Sequence, residues 1–206
     1  IGDFDGDGLA DLAVHLTRRN PDGNPVFVGE NLILYGDTQL PTLLDLTQTG
    51  AGSTRFSAEL GALRPRPLGD LNGDGQPDLL LLASSLPGNV TGHGLVIFGA
   101  RGRPAEITGA ALDGSNGFRF NGNNTIQSLS EFVTGIGDFD GDGFDDFVVS
   151  ETGHSNTETY DNILFGSDQP FPAEFALRDG SVRTLSIAHF DAFARPDRRV
   201  AGIGAL

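Results

Sequence analysis

The residues best suited to chemistry are carboxylates in short, regular groups. Ile1-Gly-Asp-Phe-Asp-Gly-Asp-Gly, Leu68-Gly-Asp-Leu-Asn-Gly-Asp-Gly and Ile136-Gly-Asp-Phe-Asp-Gly-Asp-Gly open three near-identical segments, followed by Asp11, Asp78 and Asp146. Counted from Asp3, Asp70 and Asp138, oxygen side chains fall at positions 1, 3, 5 and 9 of a tight loop. The residue at position 7 can add its carbonyl. Ligation by oxygen alone in a flexible loop is hard-cation chemistry; it suits calcium, at about 2.3–2.6 Å, better than magnesium, which demands a stricter octahedron. The competing reading is a set of Asx turns in which Asp and Gly serve only backbone geometry. Repulsion argues against it: two carboxylates about 4 Å apart repel by roughly 4 kcal/mol at an effective dielectric near 20, so a loop gathering four opens without a cation. An EF-hand loop would also need an acidic clamp at its last position. Val14, Leu81 and Val149 stand there, apolar and inside a following strand, which excludes helix-loop-helix sensing.

The elements that position these loops recur with them. Asp3, Asp70 and Asp138 are 67 and 68 residues apart, so the chain is an array of structural units rather than a scaffold with copied loops. Each loop runs into a short apolar stretch, at Leu12 to Leu16, Leu79 to Ala83 and Phe147 to Ser150. A second set ends in glycine: Leu32-Ile-Leu-Tyr-Gly36, Leu95-Val-Ile-Phe-Gly99 and Ile163-Leu-Phe-Gly166. Ser53-Thr-Arg-Phe56 and Gly117-Phe-Arg-Phe120 form a third, and Glu131-Phe-Val-Thr leads into an acidic loop as a weaker fourth. Apolar residues never keep helical spacing for a dozen positions, and Gly, Pro, Asn and Asp interrupt too often for ordinary helices. The reading is all-β, four short antiparallel strands per period, the plan of a β-propeller blade. A β-sandwich is the rival, but gives no reason for equal spacing. Ile187-Ala-His-Phe-Asp reads as the start of a fourth, eroded copy near residue 187. There Asp191 and Asp197 keep two motif positions and His189 and Phe193 replace two others, so no ion is expected. Residues 1–206 are thus one array of three to four blades, with repeats starting near 1, 68 and 136 and a degenerate one near 187.

Composition narrows the partners. The chain of 206 residues has 28 acidic groups against 13 basic ones, all Arg, for a net charge of −15. That disfavours nucleic acid and anionic membranes, which want a positive footprint. The longest aliphatic run, Leu79 to Ala83, is far short of the ~20 apolar residues of a spanning helix, so no membrane insertion is expected. There is no Cys, which removes disulfides and thiolate chemistry, and no Met, so the chain reads as a processed product or a segment. Asn89-Val-Thr91 and Asn123-Asn-Thr125 match the glycosylation acceptor pattern and read as loop residues.

Leu95-Val-Ile-Phe-Gly-Ala, then Leu112-Asp-Gly-Ser-Asn-Gly-Phe-Arg-Phe, then Ile136-Gly-Asp-Phe-Asp-Gly-Asp-Gly-Phe-Asp-Asp is similar to the FG-GAP repeats of integrin α-subunit propellers and of bacterial surface and secreted proteins. The resemblance covers nearly the whole chain. It implies about three calcium sites, with ligands on Asp3, Asp5, Asp7, the Leu9 carbonyl and Asp11. The second set is Asp70, Asn72, Asp74, the Gln76 carbonyl and Asp78, and the third Asp138, Asp140, Asp142, the Phe144 carbonyl and Asp146. It also implies acidic hairpins on one face of the propeller and recognition loops on the other, here residues 18–25, 84–93 and 151–161. Family propellers have more blades than this chain holds, so further blades are expected from a longer chain or from neighbouring chains. Val200-Ala-Gly-Ile-Gly204 echoes Val133-Thr-Gly-Ile-Gly137; it reads either as the strand after the eroded loop or as one completing the first repeat.

The function this implies is an extracellular, calcium-stabilised module, secreted or at the cell surface, for adhesion to a protein or glycan. Millimolar extracellular calcium fills sites with the ~0.1 to 1 mM affinities of such modules. One alternative is a non-catalytic structural spacer in a surface fibre. Another is the propeller part of a polysaccharide-acting enzyme, yet His15, His93, His154 and His189 are scattered and no nucleophile motif occurs, so no catalytic residue is assigned. Only His154 beside Glu151, Glu158 and Tyr160 merits inspection for catalysis.

Overall fold

Four leucines in a row, Leu79 to Leu82, cannot belong to a sheet with one wet face, because successive side chains of a strand point to opposite sides. In the computed structural model, which describes residues 1–18, 28–39, 42–43, 52–56, 64–83, 92–102, 104–122, 127–153 and 159–189, they lie in the middle sheet of three. Leu79 and Leu81 join one core with Phe4, Ile33, Tyr35, Phe56, Leu95, Ile97 and Leu112. Leu80 and Leu82 join the other, with Leu68, Leu71, Val96, Phe118, Phe120, Leu129, Val133, Phe147, Val149 and Leu164. Phe98, Phe118, Phe171 and Phe175 knit this second core through ring contacts of 4.7 to 5.9 Å between centroids.

The fold is all-β: among the described residues the only helical element is a 3-10 turn at Gly109–Ala111. The first sheet holds β1 (Leu12–Arg18), β2 (Val28–Leu34) and β3 (Ser53–Phe56). The second holds β4 (Arg64–Gly69), β5 (Asp78–Ala83), β6 (His93–Ile97) and β8 (Gly117–Asn121). The third holds β9 (Gln127–Gly137), β10 (Asp146–Gly153), β11 (Thr159–Leu164) and β13 (Thr184–His189). Within each, sequential strands pair antiparallel, and equivalent residues meet: Leu12 with Leu34, Leu79 with Ile97, Phe147 with Leu164. The expected strand sets are therefore present. Pro65 and Pro67 are tolerated in β4 because it is an edge strand.

Two further strands were not legible in advance. β7 (Glu106–Ile107) follows β6 of the second repeat but pairs parallel with β3 of the first sheet, Phe56 opposite Ile107. β12 (Glu174–Ala176) follows β11 of the third repeat but pairs parallel with β8 of the second sheet, Phe120 opposite Phe175. The second and third repeats thus each send an arm across to the sheet before it. Arg178, at φ 66°, turns the second arm back toward its own sheet, where it meets the fully buried Glu151 at 3.2 Å and stacks 4.0 Å over Tyr160.

Of the fourth copy expected near 187, Ile187 to His189 lie in β13, an edge strand of the third sheet, where Asp161 pairs with Ile187 and Thr159 with His189. Phe193, Asp191 and Asp197, the segment 200–204 and both glycosylation patterns lie outside the described residues.

Candidate metal centres

Each acidic loop forms because its carboxylates and amides close the turn on themselves. In the first, Asp3 accepts the amides of Asp7 (2.9 Å) and Gly8 (2.8 Å), Asp5 that of Asp7 (3.3 Å), and Asp7 that of Leu9 (2.8 Å). Asp70, Asn72 and Asp74 repeat this pattern with Asp74, Gly75 and Gln76, and Asp138, Asp140 and Asp142 with Asp142, Gly143 and Phe144. The glycines at positions 4 and 6 all have positive φ, between 71° and 97°, which only glycine adopts at little cost.

The aspartate at position 9 has a second task. Asp11 accepts the amides of Phe4 (2.7 Å) and Gly36 (2.8 Å). Asp78 does the same with Leu71 and Gly99, and Asp146 with Phe139 and Gly166. All three are buried, and each ties the start of its loop to the glycine that ends the second strand. A side chain at that glycine would collide with backbone, since a Cβ on Gly166 would stand 2.4 Å from the Asp145 carbonyl. Burial pushes the Asp78 carboxyl up to about 8, against the lowering effect of its Gly99 and Leu71 hydrogen bonds and with further raising by Asp74 and Asp70. Asp146 is raised for the same first reason, with Asp140 and Asp142 adding to it.

The structure draws two of the three ligand sets together. Asp3, Asp5 and Asp11 present oxygens within 4.8 Å of one another, and so do Asp138, Asp140 and Asp146. In the middle loop Asn72 replaces one carboxylate and its amide donates to Asp74 at 3.0 Å. Asp7 and Asp142, at position 5, stand outside the two tight groups. Leu9, Gln76 and Phe144 turn their amides toward position 5, and Gln76 and Phe144 also pack over Gly6 and Gly73 of the preceding loop. Neighbouring loops are joined as well: Asp70 donates its amide to Asp145 at 2.8 Å, and Asp145 its own to the Asp70 carbonyl at 2.9 Å. In the third loop Arg183 bonds Asp140, lies 3.7 Å from Asp142 and stacks 4.1 Å over Phe165. Sequence reasoning missed this cation because it lies 43 residues downstream of the carboxylate it meets.

A donor set made only of oxygens, with three carboxylates converging, two of them buried in the first group and one in the third, fits a hard divalent cation. Such an ion would be held by Asp3, Asp5 and Asp11, and by Asp138, Asp140 and Asp146, and would supply charge neutralisation. No known family model matches the chain, and no curated protein matches it. The FG-GAP likeness rests on the residues themselves.

The segments expected to recognise a partner are described only in part. Arg18 ends β1, His93 begins β6 and Tyr160 lies in β11, while residues 19–25, 84–91 and 154–158, including Arg19, His154 and Glu158, lie outside the described residues. Glu151 is held by Asn162 (3.0 Å) and Arg178 in the packed interior. Desolvation lowers the His93 pKa, helped by Arg119 and opposed by Glu174. Among the described residues no helix is long and apolar enough to cross a membrane.

Proposed function

We propose that the chain is an extracellular calcium-binding module of the FG-GAP, propeller-like kind, in which ions on the acidic rim brace blade-like sheets and the opposite loops bind a protein or glycan. The carrying observation is the pair of three-carboxylate groups, Asp3, Asp5 and Asp11 and Asp138, Asp140 and Asp146, each gathered within 4.8 Å. Bringing such charges together costs several kcal/mol in a metal-free loop, and a divalent cation turns that cost into a source of stability. The constancy of the three acidic loops against the unlike sequences of 18–25, 84–93 and 151–161 supports a division into a structural rim and a recognition rim.

Calcium titration by calorimetry, with melting curves in calcium and in excess chelator, tests the reading. Each site with a dissociation constant ten times below free calcium contributes about 1.4 kcal/mol, so three contribute roughly 4 kcal/mol. For a domain of this size that is a fall of about 10 °C on chelation. Identical melting curves with and without chelator would remove calcium, and with it the location argued from calcium.

A further inference from the structure

Position 8 of the acidic loops, just before the buried aspartate, differs in every copy: Ala10, Pro77 and Asp145. In the second and third loops this residue reaches the glycine that precedes position 1 of the loop before. A Cβ on Gly2 would meet the Pro77 ring, and one on Gly69 the Asp145 carboxylate; both glycines have positive φ, 81° and 98°. The placement is shared and the chemistry is not. The Asp145 side chain accepts the amide of Asp70 at 2.8 Å, and the Asp145 amide donates to the Asp70 carbonyl at 2.9 Å, so the peptide groups on both sides of Asp70 are gripped. Pro77 has neither an amide hydrogen nor a carboxylate and offers Asp3 no such bond.

The rest of the two joints matches. The amide of Ala100 meets the Phe4 carbonyl at 3.0 Å, and that of Ser167 the Leu71 carbonyl at 2.8 Å. The clamp on position 1 is what the later joint adds. Its two ends belong to different candidate sites. Asp70 opens the middle loop, where its carboxylate accepts the amides of Asp74 (3.1 Å) and Gly75 (2.8 Å). Asp145 is followed directly by Asp146, position 9 of the third loop, which holds the amides of Phe139 and Gly166 at 2.8 Å each.

We propose that Asp145 is a positioning residue that couples calcium binding in the middle loop to calcium binding in the third, whereas the first and middle loops, joined through Pro77, fill independently. The proposal rests on the calcium reading above. An ion held by Asp138, Asp140 and Asp146 fixes the backbone around Asp145, and Asp145 fixes the backbone of Asp70. The middle loop then loses less conformational freedom when it takes its own ion, which is positive coupling without a change of fold. The middle loop has most to gain from this, because Asn72 leaves it one carboxylate short. Repulsion between two bound cations acts in the opposite sense, so the sign of the coupling is itself informative.

Calcium titration of the intact chain, followed by heteronuclear NMR, tests this. The amides of Gly8, Gly75 and Gly143 each donate to the position-1 aspartate of their own loop and report the three loops separately. Asp140→Ala removes a ligand of the third loop; it should silence Gly143 and raise the calcium needed for half-saturation at Gly75 about fivefold, leaving Gly8 unchanged. Asp145→Pro puts at position 8 the residue that the middle loop carries there, and should shift Gly75 by the same factor. The double variant should match either single one at Gly75. Pro77→Asp builds the clamp onto Asp3 and should lower the half-saturation at Gly8, an effect lost when Asp74→Ala disables the middle loop. Far-UV circular dichroism in chelator checks folding, and Pro77→Asp carries the test if Asp145→Pro does not fold. A Gly75 response that is unchanged or tighter in Asp140→Ala overturns the coupling. A response altered by Asp140→Ala but not by Asp145→Pro overturns the role of Asp145. Calcium that moves none of the three amides overturns the calcium reading, and the proposal with it.

Discussion

The first and third acidic loops carry aspartate at the same four positions and close the same turn bonds, yet the residue that precedes the third strand differs between their repeats. In the first, Asp5 is buried beside Asp3 and Asp11. In the third, Arg183 lays its guanidinium against Asp140 and near Asp142, braced on the Phe165 ring. The residue preceding the third strand is Gly52 in the first repeat, Asn116 in the second and Arg183 in the third, so the Arg183 contact has no counterpart at that position in the other two repeats. The comparison separates constant from adjustable parts. Positions 1, 3, 5 and 9 accept backbone amides in every copy, and the side chain that precedes the third strand varies.

The sharpest way to break this comparison is to remove one buried and one exposed carboxylate from the same loop. Asp11→Ala strands the buried amides of Phe4 and Gly36 and should destabilise the protein by roughly 3 kcal/mol even in excess chelator. Asp7→Ala, which removes the exposed acceptor of the Leu9 amide, should cost less in chelator than Asp11→Ala and show its effect in calcium. Equal losses for both in chelator would mean that position 9 has no special structural task.

A smaller effect is expected from Arg183→Gln. Freed of a partly exposed ion pair worth about 1 kcal/mol, the third loop should bind calcium about fivefold more tightly, with the first loop unchanged. Calorimetry resolves the two, and weaker binding at the third loop would show that Arg183 supports the site instead of competing for it.

The smallest change belongs to the middle loop, where Asn72 donates to Asp74 and supplies internally part of what an ion would supply. Asn72→Asp restores the fourth carboxylate and should tighten that site by about threefold, since ligand charge is one of the quantities that tune such loops. An unaltered affinity would show that charge count does not limit binding there.

Much of this was readable from the chain because the physics is local. Alternating Asp, Gly at the sharp turn and a leucine run with both faces dry specify a loop and a doubly buried strand without reference to distant residues. The latch of Asp78 onto Gly99 joins residues 21 apart, and spacing shows that both recur but not that they touch. The arms at Glu106–Ile107 and Glu174–Ala176 are too short to show a period. Their signal was the repeated Pro-Ala-Glu followed by an apolar residue, and its destination, the sheet before, is a property of packing alone.

The crossing arms also set the order in which the molecule can be completed during synthesis. The outer edge of β3 is closed by residues 106–107, and that of β8 by residues 174–176, roughly fifty residues further along the chain in each case. At ribosomal rates of about 5–20 residues per second, each sheet waits several seconds with its edge unsealed before its cover emerges. During that interval the exposed hydrogen-bonding edge can pair with other strands. The array therefore matures one repeat behind the ribosome, and a break within any repeat would leave the sheet before it open as well as its own.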